Sequence, residues 1–366
     1  MSDLQFLAAR MFGVGFHTPS VPPEIDSLLA RGVSSVILFS RNIESPPQVR
    51  DLCADLKARA GRPLMIGIDQ EGGRVRRLRE GFTEVPSMRS LGRTNDPQLA
   101  KQIGAVLARE LRAVNIDLDF APTIDVDTNP NNPVIADRSL GPTPELVAKL
   151  GCALIDGLQG NGVAACGKHF PGHGDTNVDS HKELPRMTHD MERLNRIELL
   201  PFEAAVKCDV AMIMTAHVIF EPIDAKYPST MSKAVMQGIL RDRMGFRGVI
   251  VSDDLEMKAI ANYFDIEEVI IRCVNAGVDL LMICHNHKLQ HRAIDLLTHA
   301  VIRGDVPRER LEESNRRLDA LMAKYVRPPM QDGSLSVLAS PEHKAIAQRV
   351  TEMATARTAD PTETWR

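Results

Sequence analysis

The sequence predicts an α/β fold, a closed (β/α)8 barrel of the TIM type built as a single domain. Three observations predict it. Eight short apolar, β-branched runs recur along the 366 residues, and stretches with helical apolar spacing separate most of them. Strand and helix alternate at intervals of about 30 to 50 residues, which argues parallel pairing through βαβ crossovers. No G-x-G-x-x-G follows any run, so eight units favour closure. A doubly wound open sheet fits the alternation almost as well.

The strands expected are Met11 to Phe16, Val33 to Phe39, Leu64 to Ile68, Ile116 to Ala121, Ala164 to His169, Val210 to Thr215, Gly248 to Ser252 and Val278 to Ile283. Helices are expected over Pro47 to Ala60, Asp96 to Val114, Pro144 to Gln159, Met191 to Lys207 and Ser232 to Arg243. After Tyr325 the chain loses periodicity, so residues 1–325 are assigned to the barrel and 326–366 to a tail with room for one helix over 341–354. The polar, Gly-rich segments follow the strands directly: DQEGGRVRRLRE after Ile68, PTIDVDTNPNNPVIADRS after Ala121, FPGHGDTNVDSHKE after His169, HVIFEPID after Ala216 and DDLEMK after Ser252. In a barrel these βα loops converge on the C-terminal face, where active sites of this fold are built.

Composition narrows the ligand. Lys+Arg 44 against Asp+Glu 48 leaves a net charge of −4 and no basic field for nucleic acid. Aromatic residues make up only 4%, too few for a long stacking cleft. A small ligand held by polar contacts fits better. The N-terminus lacks the order of a signal peptide and no run of 18 uncharged apolar residues occurs, so a cytoplasmic protein with no membrane or nucleic-acid partner is expected. The six cysteines are scattered singly, the usage of buried thiols in a reducing compartment.

The densest chemistry lies in KHFPGHGDTNVDSH, Lys168 to His181. His169, His173, Asp175, Asp179 and His181 are acceptable metal ligands, but their spacing matches no common metal motif and Lys168 would set a cation beside the ion. Phosphate cradling lacks the P-loop ending. An acid/base pair fits better: in Asp179-Ser180-His181 an extended backbone places carboxylate and imidazole on one face. The plainer alternative is that Asp179 only pins the loop through His181. In Ile250 to Met257, a β-branched strand ends in Asp253 and Asp254, and alternation delivers one of them to the barrel mouth as a candidate nucleophile. The other is expected to cap the following helix. Asp69 has the same placement, followed by Arg74, Arg76, Arg77 and Arg79, which either form a solvated face or hold ligand hydroxyls.

KHFPGHGDTNVDSH closely resembles the signature of the family 3 β-N-acetylhexosaminidases. IDQEGGRVRRL, APTIDVD, VIADRS, MTAHV, LRDRMGFRGVIVSDDLEM and AGVDLLMI resemble the family's other blocks, in the same order, from about Gly13 to Tyr325. Leu140, Arg76 and Ala136 depart from it. The resemblance implies a TIM barrel without cofactor or metal, acting as a retaining exo-β-N-acetylglucosaminidase, with 1,6-anhydro-muropeptides of cell-wall recycling as the expected substrate. It assigns Asp253 as nucleophile, His181 as general acid/base and Asp179 as its partner. Asp69, Arg77, Arg138, Lys168 and His169 would grip the terminal sugar, with Arg74 less clearly placed. A neutral base beside a carboxylate nucleophile also tolerates incoming phosphate, which keeps a GlcNAc phosphorylase open. A β-glucosidase of the same family and a noncatalytic sugar-binding barrel stay open beside it.

Overall fold

Eight strands carry the architecture: β1 (Phe12–Val14), β2 (Ser35–Leu38), β3 (Met65–Ile68), β4 (Leu118–Asp119), β5 (Ala164–Phe170), β6 (Met212–Thr215), β7 (Val249–Asp254) and β8 (Leu280–Ile283). All neighbours pair in parallel, and β1 closes the ring onto β8 through Phe12 opposite Leu281. The computed structural model describes residues 2–129, 131–176, 184–329 and 334–358. Each expected strand contains its observed core, but the ends differ: β4 keeps two residues, whereas β7 runs on to Asp254.

Strand period sorts the side chains into two cores. Ile37, Met65, Leu118, Cys166, Met212, Val251 and Met282 point into the barrel, while Val36, Ile66, Ile213, Ile250 and Leu281 point out toward the helices. Both faces are buried, which is why these strands read as continuous apolar runs.

Local signals set the helix ends. In α1 (Pro46–Ala60), Ser45 accepts a bond from the Gln48 N–H, proline opens the first turn and Gly61 ends the helix in the left-handed region. In α2 (Pro97–Ala113), Asp96 accepts from the Gln98 and Leu99 N–H groups. The α3 helix (Pro144–Gly160) packs against α2. The continuous helix expected from Met191 to Lys207 is instead two, α4 (Met191–Arg196) and α5 (Leu200–Lys207). Pro201 is the reason, since it has no N–H to donate and its ring crowds the carbonyl four residues back. Residues Ala234–Arg243 form α6, with π-type bonding.

The N-terminal end of the barrel is plugged. From α7 (Arg308–Tyr325), Leu318, Leu321, Met322 and Tyr325 pack into the inner core. Asp279, fully buried before β8, accepts from Arg310 Nη2 at 2.7 Å and Ser314 Oγ at 2.9 Å and so ties that helix to the strand. With this end filled, the barrel axis opens at the opposite mouth. A further helix, α8 (Pro341–Thr358), docks where the buried Glu110 accepts from Thr83 N, Ala339 N and His343 Nδ1 at 2.9, 2.9 and 2.8 Å.

One expectation is overturned. Cys152 and Cys208 form a disulfide, their Cα atoms 6.0 Å apart, while Cys53, Cys166, Cys273 and Cys284 are free and buried. A separation of 56 positions along the chain hid the pairing, which arises because α3 and α5 pack side by side. Among the described residues, no helix is long and apolar enough to cross a membrane.

Candidate active site

The site floor follows from strand alternation. Two residues beyond the inward-facing Ile37, Gly67, Cys166, Val251 and Met282 come Phe39, Asp69, Lys168, Asp253 and Cys284, and all five line one cavity of about 380 Å³ at the C-terminal mouth. Its volume lies near the lower end of the range for small-ligand pockets, roughly 300–1,000 Å³.

On one side a charge cluster is built around Glu71, 1% exposed. Its carboxylate takes a two-pronged grip from Arg138, Nε at 2.9 Å and Nη2 at 2.7 Å, and the Lys168 ammonium lies at 2.6 Å. Lys168 also donates to Asp69 Oδ1 at 2.8 Å, and Arg77 Nη2 reaches Asp69 Oδ2 at 3.1 Å. Burial alone would raise both carboxyls, but the Arg138 and Lys168 cations hold Glu71 well below its ordinary value, and Lys168 with Arg77 hold Asp69 below. The same carboxylates push the Lys168 and Arg138 pKa values up despite burial. All these groups stay charged at neutral pH, offering both donors and acceptors to a polyhydroxylated ligand. Gln70 fixes the loop: its Oε1 accepts from Arg77 N and Leu78 N at 2.9 and 3.0 Å.

Next to this cluster, the fully buried Asp125 organises the loop after β5. It accepts from His169 Nδ1 at 2.8 Å and from His173 N at 2.7 Å. A carboxylate can only accept, so His169 Nδ1 carries a proton. His173 is buried, which lowers its pKa to about 4 and keeps it neutral. Asn132 Nδ2 donates to the carbonyls of His173 and Gly174 at 2.8 and 3.0 Å, stitching this loop to the one after β4. Gly174 is obligatory there, since a Cβ would stand 1.7 Å from the Val126 carbonyl oxygen. Asp175 is ion-paired with His189 and Arg193 rather than poised for a metal.

Across the mouth, Asp253 accepts from the Asp254 N–H at 2.8 Å through Oδ1. Burial would raise its pKa, but the His217 and His169 imidazoles, that N–H and the Lys168 ammonium outweigh it and hold the carboxyl below its ordinary value. Asp253 is therefore ionised, as a nucleophile must be. Asp254 does not cap a helix; its Oδ1 accepts from Glu256 N at 3.1 Å and its Oδ2 pairs with His285 Nε2 at 3.1 Å. The following helical turn starts after Met257, too far along for either aspartate to cap.

The Glycosyl hydrolase family 3 N terminal domain matches residues 21–321. The chain belongs to glycosyl hydrolase family 3. A beta-hexosaminidase of Thiobacillus denitrificans is 43% identical over 263 residues, covering 70% of this chain and 73% of the relative. A family 3 beta-N-acetylglucosaminidase from Paenibacillus sp. str. FPU-7 superposes with a TM-score of 0.92 at 39% identity, covering 97% of this chain and 69% of that one. Native NagZ from Neisseria gonorrhoeae superposes at 0.79 with 32% identity, covering 94% and 97%. NagZ of that organism is also solved with N-trifluoroacetyl-D-glucosamine. This family 3 chain is a glycoside hydrolase of the β-N-acetylhexosaminidase type.

Of the residues that the sequence singles out in this hydrolase, Asp69, Arg77, Arg138, Lys168, His169 and Asp253 meet in one cavity, and Arg74 lines it too. Asp179 and His181 lie outside the described residues. Of the loop arginines, Arg74 pairs with Asp137, Arg76 with Glu84 and Arg77 with Asp69. The described residues hold no group of three or more His, Cys, Asp or Glu side chains fit for a metal. Sequence reasoning missed Glu71, Asp125 and His217. The signal for Glu71 was there, two positions after Asp69 and therefore on the same side of an extended chain; Asp125 and His217 showed no local pattern that separated them from neighbouring polar residues.

Proposed function

We propose that this hydrolase removes single non-reducing terminal N-acetylglucosamine units with retention of configuration. The observation that carries the reading is the ionised Asp253 in the same small cavity as the Asp69–Lys168–Arg77 cluster. A cavity closed below by the barrel core accommodates a chain end rather than a chain middle, which suits exo action. Asp69 accepts from sugar hydroxyls, Lys168, Arg77 and Arg138 donate to them, and His169 meets them through its ring nitrogen. Asp253 attacks the anomeric carbon as the bond to the leaving oxygen breaks, and His181, oriented by Asp179, gives that oxygen its proton. Water then attacks the glycosyl ester; His181 takes its proton and Asp253 leaves as carboxylate.

The substrate proposed is a 1,6-anhydro-muropeptide, met in the cytoplasm during peptidoglycan recycling. A formed Cys152–Cys208 bond would sit uneasily in a reducing compartment, so a cytoplasmic location requires the pair to be reduced there. The test is direct: purified enzyme is given p-nitrophenyl N-acetylglucosaminide, the corresponding glucoside and GlcNAc-1,6-anhydro-muropeptide. Release of N-acetylglucosamine from the first and third, abolished in Asp253→Ala, is expected. Near-normal turnover by Asp253→Ala overturns the nucleophile assignment, and failure on the muropeptide alone overturns the substrate.

A further inference from the structure

The sheet ladder fails at the nucleophile. Strand β7 matches β8 at Val251 opposite Leu280 and again at Asp254 opposite Met282, so three steps on one strand meet two on the other, and pairing with β6 stops at Val251. Such bulges re-aim side chains at active sites, but they also strip backbone groups of their partners. Side chains meet two of the groups at the break. Ser252 Oγ accepts from Met282 N at 2.9 Å, and His217 Nε2 lies 3.1 Å from the Asp254 carbonyl oxygen.

His217 sits two residues beyond β6, is 1% exposed, and does not line the cavity. Its role follows from hydrogen-bond chemistry. The Asp254 carbonyl can only accept, so Nε2 bears the proton. Burial drives the imidazole pKa down against the pull of Asp253 and Asp254, with His169 the other titratable group nearby; the ring is neutral and Nδ1 has a lone pair. Thr230 Oγ1, 2.8 Å from Nδ1, supplies the proton, and it lies 2.8 Å from Thr215 Oγ1, which can donate to it in turn. The Ala216 carbonyl competes for the Thr230 proton from 3.1 Å, the longer and weaker of the two contacts. Asp254 is thus held at both ends: its carbonyl by His217 together with the Met257 N–H at 3.1 Å, and its N–H on Asp253 Oδ1.

We propose that His217, as the neutral tautomer protonated at Nε2 and ordered by Thr230, is a positioning residue that fixes the Asp254 backbone so that Asp253 presents its second oxygen to the anomeric carbon. The inference rests on Asp253 being the nucleophile. His217→Gln keeps an N–H near Nε2, whereas His217→Asn keeps polarity near Nδ1 but cannot reach Asp254. Misplacement of a reacting group by about 1 Å costs on the order of 100-fold. His217→Asn is therefore expected to lower kcat and the rate of Asp253 labelling by a 5-fluoro-N-acetylglucosaminyl fluoride by roughly 10- to 100-fold, with the GlcNAc inhibition constant within about threefold of wild type. His217→Gln should recover to within about fivefold of wild type. Equal losses in both variants, unchanged labelling in His217→Asn, or a loss confined to the inhibition constant would each overturn the proposal. Should His217→Asn not fold, Thr230→Val removes the proton for Nδ1 along with the Thr215 and Ala216 contacts, and wild-type labelling by that variant overturns the tautomer assignment. Absence of any Asp253 adduct in the wild type would sink the nucleophile reading itself, a separate outcome.

Discussion

Glu71 is buried and has two cations on one carboxylate, which makes Glu71→Gln an informative change. The substitution keeps the shape but removes the charge that balances Lys168 and Arg138, and it turns an N–H₂ group toward donors that need an acceptor. Breaking a buried ion pair from one side costs about 3–5 kcal/mol. With an unfolding entropy of about 2.1 cal/mol/K per residue, each kcal/mol shifts the midpoint of a 366-residue chain by about 1.3 °C, so a fall of about 4–6 °C is expected. The sign of its pH dependence is set as well. Because the folded pKa of Glu71 is depressed, its contribution is complete above the unfolded value of about 4.3 and is lost as pH falls below it. The gap between wild type and Glu71→Gln should therefore narrow in thermal melts taken below about pH 4. As Arg138 and Lys168 lose their anchor, the GlcNAc inhibition constant should rise about tenfold or more, the loss of one charge-assisted bond. An unchanged midpoint together with unchanged inhibition would show that Glu71 does not organise the cluster.

His181→Ala is expected to lose far more activity on an alkoxide leaving group such as a disaccharide than on p-nitrophenolate, which needs no proton; equal losses would make His181 structural. In saturating phosphate, a neutral acid/base lets phosphate compete with water, and glycosyl phosphate should be detectable by mass spectrometry; free N-acetylglucosamine as sole product removes that idea. For the disulfide, thiol titration of unfolded, unreduced protein should find four thiols of six. Cys208→Ser should then cost about 4 kcal/mol, the entropy of a loop with 56-residue separation, or about 5 °C. Six thiols before reduction would refute the bond.

Eight apolar runs separated by helical stretches pointed to the barrel, and a period of two placed Asp69 and one of Asp253 and Asp254 at its mouth. The strands are buried on both faces, so they stand out as apolar runs, and the same alternation that puts Ile37 and Val251 inside carries Phe39 and Asp253 to the mouth. Helices expected from Pro47 and Asp96 start at Pro46 and Pro97, each a residue away, because capping and proline act locally. Position along one strand, however, says nothing about which loops meet. The Arg138 fork on Glu71, the Asp125 grip on His169 and the His217 bond to Asp254 join residues 67, 44 and 37 positions apart. The Cys152–Cys208 pair depended likewise on two helices lying side by side.

The sequence by itself determined which residues face the barrel mouth, because inward and outward alternate along every strand whatever the neighbours are. The tertiary structure alone decided what those residues are chemically. A carboxylate's charge depends on the cations brought beside it, and closing the ring set Lys168 against both Asp69 and Glu71. It also decided that the bulge at Asp254 brings a backbone carbonyl within reach of His217, since a ladder's gaps appear only when both strands are in place.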